Sequence, residues 1–177
     1  MFLVTDEPIK AWQWMLCLVA GLVACSPALN WRLVQPVDGL ELLLPCKPSQ
    51  RREPVTLGAQ QTELSMMGCR AQDMDFTHSV MSLPPGMDVQ ELMTQWQRAS
   101  VSPLGPHQSQ PLKPRAIAGL AQPATAVRVT AQSGVQAQFL WWHRGQQMHQ
   151  LAVYGPKSGP PFEQAVDAFI SSVKHTH

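Results

Sequence analysis

The amino-acid sequence predicts an α+β protein in which an antiparallel β-sheet carries two amphipathic helices. Three observations support this fold class. Residues 126–154 contain three apolar strands joined by glycine turns, two segments repeat apolar residues at helical spacing, and five short extended segments precede the first helix. Runs of consecutive strands, rather than strict strand–helix alternation, are typical of antiparallel sheets in α+β folds.

Five strands are predicted before the first helix, separated by residues that favour turns. They are Trp31–Gln35, Leu40–Leu44, Val55–Leu57, Thr62–Cys69 and Met74–Met81. In the fifth strand Met74, Phe76, His78 and Val80 share one face, because side chains alternate along a strand.

The first helix is predicted at Asp88–Val101. Asp88 occupies an N-cap position and Glu91 follows three residues later, which is a variant of the capping box. Four apolar residues then form one stripe at helical spacing: Leu92, Met93, Trp96 and Ala99. The proline-rich segment Pro103–Pro114 that follows is predicted to be a loop or linker.

The strongest β signal is a meander of three strands, Ala126–Gln132, Val135–His143 and Gln147–Tyr154. Gly134 and Gly145 supply the positive φ that tight hairpin turns require. The last helix is predicted at Phe162–His175, with its apolar residues on one side, as in a helix that lies on a sheet. These residues are Phe162, Ala165, Val166, Phe169, Ile170 and Val173.

The N-terminal region carries the most specific motif. Met15–Cys25 is an apolar run that is too short to span a membrane and has the length of a signal-peptide core. It ends Leu22-Val23-Ala24-Cys25, which resembles the lipobox of bacterial lipoproteins. The resemblance implies cleavage before Cys25 and attachment of fatty acyl chains, including palmitate, to that cysteine. Stable membrane attachment follows, because two or more acyl chains hold a protein at a bilayer.

The predicted organisation is therefore a signal peptide at residues 1–24, a lipidated tether at 25–30 and one α+β domain at 31–177. Ser26, rather than Asp, follows the lipidated cysteine. By resemblance to enterobacterial sorting, this favours the outer membrane over the inner membrane, with the domain facing the periplasm. The alternative is an uncleaved, single-pass membrane anchor.

Two cysteines remain in the predicted domain, Cys46 and Cys69. A pair of cysteines in an exported domain indicates a disulfide, because the periplasm is oxidising. The bond would stabilise the protein by roughly 3 kcal/mol through loop closure. Two buried free thiols, or two ligands of a metal site completed elsewhere, are the alternatives.

The order of elements resembles the PsbP-like fold, which includes small bacterial lipoproteins of the DcrB type. The resemblance rests on a strand that ends at Leu44-Pro45, on the hairpin within Phe139–Tyr154, and on a closing amphipathic helix that contains FISSVK. This family has no common catalytic residues, so the resemblance implies none here.

Searches for catalytic motifs find no nucleophile elbow, HExxH sequence, dinucleotide fingerprint or phosphate loop. We therefore expect no catalytic residue, cofactor or metal. His143 and His149 flank one hairpin and could come close together, but they lack a third ligand. Trp141 and Trp142 must lie on opposite sides of the sheet, so an exposed indole is a candidate binding surface.

Composition excludes several classes of protein. The formal net charge of +1 gives no electrostatic basis for binding nucleic acid. With 45% hydrophobic and 14% charged residues, the chain is not a disordered polyelectrolyte. It has one continuous apolar run, so it is not a polytopic membrane protein either. The sequence favours a lipid-anchored, non-catalytic binding or assembly module with an envelope protein as partner. An enzyme built from scattered residues, or a lipoprotein with a mainly structural tethering role, is the alternative.

Overall fold

Alternating apolar residues build two antiparallel sheets in the computed structural model, which describes residues 29–57, 60–83, 86–156 and 160–176. Within this part of the chain the smaller sheet has the order β1-β2-β10 and the larger sheet has the order β3-β4-β5-β9-β8-β7-β6. The strands are β1 Arg32–Val37, β2 Leu40–Leu44, β3 Ser49–Leu57, β4 Gln60–Ala71, β5 Met74–Ser82, β6 His107–Pro111, β7 Thr125–Ala131, β8 Val135–Arg144, β9 Gln147–Pro156 and β10 Lys174–His175.

In the described segments two α-helices accompany the sheets, α1 at Val89–Val101 and α2 at Pro160–Ser171, and a short 3-10 helix follows α1 at Ser102–Leu104. The predicted N-cap of α1 is confirmed, because a side-chain oxygen of Asp88 accepts a hydrogen bond of 2.8 Å from the backbone N–H of Glu91. The α+β fold class is confirmed with it.

The larger sheet has a hydrophobic core on each face, so its central strands β8 and β9 are buried on both sides. On one face α1 packs Leu92, Met93 and Trp96 against β8 and β9. On the other face lie α2 and the smaller sheet, and all six apolar residues predicted for the last helix are buried there. The layers are therefore α1, the larger sheet, and then α2 beside the smaller sheet.

The predicted loop Pro103–Pro114 is partly wrong, because His107–Pro111 forms strand β6 against β7. β6 is an edge strand whose residues are mostly exposed, so it lacks the apolar alternation from which strands are recognised. β3 also begins at Ser49, well before the predicted Val55, since its first half is an exposed, charged edge.

The last helix ends at Ser171 and not at the predicted His175. The hydroxyl oxygen of Ser172 accepts a hydrogen bond of 2.9 Å from the backbone N–H of Leu43, and the chain then pairs with β2 as β10. Pairing with an open sheet edge thus replaces the last helical turn.

The predicted signal peptide, residues 1–24, and the lipidation site Cys25 lie outside the described residues. Of the helices in the described segments, neither combines the length and apolar character needed to cross a bilayer.

Candidate functional site

The two domain cysteines, Cys46 and Cys69, form a disulfide across a sequence separation of 23 residues. Cys46 follows β2 of the smaller sheet, and Cys69 lies in β4 of the larger sheet. The bond therefore ties the two sheets together beside the core that Phe76 and Met67 occupy. The predicted pairing is confirmed.

Both tryptophans proposed as a binding surface are buried. Trp141 is 2% exposed and Trp142 is 4% exposed, so neither forms the exposed binding surface for which the sequence makes them candidates. They do lie on opposite faces of β8, as predicted: Trp141 stacks on Phe139 in the α1 core, while Trp142 faces α2 and the smaller sheet. Both faces of the larger sheet are covered, so neither indole reaches solvent although the two side chains point to opposite faces.

The two tryptophans nevertheless contribute to a cavity of about 430 Å³ at one end of the sheet, which we call the end notch. β8 extends past the start of β7, because Thr125 pairs with Trp141 and no residue of β7 pairs beyond it. The space left beside the end of β8 is walled by the start of α1 and by a loop from Gly119 to Pro123, with His143 and Arg144 at its rim.

Three buried histidines meet in the core between the larger sheet and the layer formed by α2 and the smaller sheet. We call them the histidine cluster, and they are His78 of β5, His149 of β9 and His175 of β10. Nε2 of His78 lies 3.2 Å from Nδ1 of His149, so one of these nitrogens donates a hydrogen bond to the other. The ring of His149 also stacks on Trp142, with a centroid separation of 5.0 Å. Trp142 in turn donates a hydrogen bond of 3.0 Å from Nε1 to Nε2 of His175.

Burial holds the pKa of His78 far below its ordinary value of 6.5, and the nearby His175 lowers it further. The pKa of His149 is lowered in the same direction, first by burial and then by the charges of His78, His175 and Arg144. Both imidazoles are therefore neutral. Nε2 of His149 is buried without a hydrogen-bond partner among the described residues, so His149 does not complete a polar network.

His143 does not approach His149, although the sequence allows it because both flank one hairpin. Trp142 lies opposite His149 in the ladder and His143 lies opposite Met148, so the two histidines project from opposite faces. Sequence reasoning had placed His78 on one face with Phe76 and Val80, which was a usable signal of its burial. His175 is predicted to be helical, and no comparable signal of its burial is present around it in the sequence.

A second cavity, the apolar groove, lies between α1 and strands β3, β4, β5 and β9, with a volume of about 570 Å³. Its lining includes Leu64, Met66, Met81, Trp96, Ala99 and Tyr154. Beside it the side-chain amide of Gln150 donates a hydrogen bond of 2.7 Å to the hydroxyl of Ser100. The helical spacing predicts Trp96 in the buried stripe of α1, but it does not predict that one edge of this stripe is open.

Across the described segments, no group of three or more histidine, cysteine, aspartate or glutamate side chains has the geometry to hold a metal ion. In the histidine cluster, Nε2 of His78 and Nδ1 of His149 face each other, and the two nitrogens of His175 face Trp142 and Arg144.

The layers and strand order define a PsbP-like α+β fold. The solution structure of cyanobacterial PsbP (CyanoP) from Synechocystis sp. PCC 6803 matches this chain with a TM-score of 0.54 at 10% sequence identity, covering 86% of this chain and 96% of that chain. The predicted PsbP-like fold is confirmed, and at this identity the likeness shows the fold alone. No known family matches the sequence, and no curated protein matches it either.

Proposed function

We propose that this protein is a lipid-anchored, periplasm-facing binding or assembly module without catalytic activity, and that it holds an apolar segment of an envelope protein in the apolar groove. The single observation that carries the proposal is the groove itself. It is a shallow, open cavity of about 570 Å³ around one tryptophan, within the size range of binding sites.

The chemistry of the lining favours binding over catalysis. Among the described residues that line the groove, Tyr154 alone is titratable. Burial, together with the charge of Asp75, raises the pKa of Tyr154 to about 12, so its hydroxyl stays neutral. General acid–base catalysis needs a group whose pKa lies near the working pH, whereas apolar contact needs only shape and exposed carbon.

Ala99 offers a direct test of the groove, because it is exposed on α1 and lines the cavity. Ala99→Arg should fill the groove with a long charged side chain while leaving the core intact. Thr94→Arg is the matched control, since Thr94 is exposed on the same helix and does not line the groove.

The readout is photo-crosslinking in intact cells, with a benzophenone amino acid at position 99 or at position 94. We expect a discrete protein adduct from position 99 and none from position 94, and mass spectrometry identifies the partner. That identified partner should still co-purify with Thr94→Arg and should be lost with Ala99→Arg. The same adduct from both positions, or none from position 99, would refute the groove as the binding site.

The anchor is tested separately. The lipobox-like sequence that ends at Cys25 supports it, and Ser26 supports the outer membrane. Cys25→Ser should release the protein from the membrane fraction or leave an uncleaved precursor. Unchanged fractionation and unchanged mass would end the lipoprotein hypothesis and leave the groove proposal standing.

A further inference from the structure

Strand β10 joins three parts of the molecule although it is only two residues long. It pairs with β2, and the backbone N–H of His175 donates a hydrogen bond of 2.8 Å to the carbonyl of Ala118, in the loop before β7. The next residue, Thr176, donates a bond of 2.9 Å from its N–H to the carbonyl of Gly39. Lys174 adds an ion pair of 2.8 Å with Glu41.

The His175 ring faces donors at both of its nitrogens. Trp142 donates to Nε2, and Nη1 of Arg144 lies 2.9 Å from Nδ1. An indole N–H and a guanidinium can only donate. A neutral imidazole accepts at one nitrogen and a protonated one at neither, so these neighbours favour the neutral ring. A protonated ring would place an N–H against the indole N–H and a positive charge against the guanidinium.

The other charged and titratable groups around β10 do not compensate for a proton on His175. His149 of β9, with its ring centroid 5.6 Å away, and His78 of β5 are held neutral by burial. Glu41 of β2 is already paired with Lys174. The carbonyl of Gly39 favours the charged ring, but burial and Arg144 outweigh it and lower the pKa of His175.

We infer that β10 is an acid-released latch: protonation of His175 detaches residues 174–176 from β2 and from Ala118 while the rest of the fold stays closed. The latch borders the end notch, because Trp142 and Arg144 line the notch and Gly119 follows Ala118. Release therefore uncovers the indole of Trp142 and frees one wall of this cavity. This inference is independent of the proposed partner of the apolar groove.

The sign of the effect follows from linkage. The open strand binds a proton at the ordinary histidine pKa and the closed strand binds it only at lower pH, so acid favours the open form. Below about pH 6.5, the ratio of open to closed latch should rise by about tenfold per pH unit until the closed form also binds the proton.

Amide hydrogen exchange followed by NMR tests the latch at pH 7.5, 6.0 and 5.0, after correction for intrinsic exchange rates. We expect the protection of the His175 and Thr176 amides in the wild-type protein to fall by about tenfold per pH unit below about pH 6.5, ahead of the amides of β5 and β9. His175→Gln should lose this dependence, because its amide oxygen still accepts from Trp142 and does not titrate.

Two results would overturn the inference: equal pH dependence in the wild type and in His175→Gln, or loss of latch protection only together with β5 and β9. If the latch of the His175→Gln variant is already open at pH 7.5, the inference is tested instead by the indole N–H resonance of Trp142 in the wild-type protein. It should shift with a one-proton midpoint while the β5 amides stay protected, and a resonance that does not move would refute the latch.

Gly119→Ala gives an independent check. A Cβ at this position would lie 2.7 Å from the carbonyl oxygen of His175, so the two cannot stay in place together. We expect this variant to expose the latch amides at every pH, and protection equal to that of the wild type would show that β10 does not rest on Gly119.

Discussion

The His78–His149 pair should make this protein steeply sensitive to acid. Both side chains are essentially inaccessible, with 1% and 0% exposure, and burial lowers the pKa of each. Between the lowered folded pKa and the ordinary value of 6.5, the unfolded chain binds more protons than the folded chain. Linkage then requires that the free energy of unfolding fall as the pH falls.

The magnitude follows from the number of protons. Each histidine that is charged only in the unfolded chain costs about 1.4 kcal/mol for each pH unit below 6.5. Two such histidines give a limiting slope of about 3 kcal/mol per pH unit, and a loss of about 5 kcal/mol between pH 6.5 and 4.5. Because small domains are stable by only about 5–15 kcal/mol, the protein should approach unfolding near pH 4.5.

Urea unfolding at several pH values between 7.5 and 4.5 measures the slope. His149→Phe keeps an aromatic ring on Trp142 and removes one titrating group, so the slope should fall to about half, whatever the change in stability at pH 7.5. His143→Gln is the matched control, since His143 is exposed on the neighbouring strand.

Two results would refute the reasoning. The first is a wild-type slope well below that of one buried histidine. The second is an equal effect of His149→Phe and His143→Gln on the slope. In that case the buried His78–His149 pair would not be the source of the pH dependence.

Three other changes test the fold. Replacing Cys46 and Cys69 together by alanine should cost about 3 kcal/mol in urea unfolding, and a reducing agent should do the same to the wild type only. Asp88→Ala should cost about 1 kcal/mol by thermal melting and Asp88→Ser much less; equal losses would contradict the cap. The β4–β5 turn holds Gln72 and Asp73 at positive φ, 50° and 58°, a conformation that Asn and Gly adopt more easily. Replacing Gln72 by Asn together with Asp73 by Gly should therefore raise the free energy of unfolding by about 1 kcal/mol. A decrease would contradict the turn assignment.

The elements with strong apolar periodicity could be predicted from the sequence, and the weak ones could not. The apolar face of the last helix is buried as predicted, since period and burial have the same cause there. β6 and β10 were missed because hydrogen bonds to a neighbouring strand form them, not an apolar face of their own. The sequence also predicts one sheet, whereas β1, β2 and β10 form a second sheet. Which strands pair with each other is not visible in the local pattern of any one strand.

The candidate sites show the same limit. Pairing of Cys46 with Cys69 could be predicted because only two cysteines remain in the domain, so each has a single partner within it. The placement of Trp141 and Trp142 on opposite faces could be predicted, but their exposure could not, because exposure depends on what covers each face. Convergence of His78, His149 and His175 depends on the register of three strands, which the sequence leaves open.

The proposed acid sensitivity and the proposed partner binding lie on opposite faces of the larger sheet, a division set by the positions of the histidine cluster and the apolar groove. Catalysis by a histidine requires that a substrate come within hydrogen-bond distance of it, and His78 and His149 are sealed beneath α2 and the smaller sheet. The groove, on the α1 face, offers mainly carbon. If this division is right, His149→Phe should change acid stability and leave crosslinking from position 99 at neutral pH unchanged, whereas Ala99→Arg should abolish partner binding and leave the acid slope unchanged. A variant that altered both properties would show that the two faces are coupled through β9, which contributes His149 to one face and Gln150 to the other.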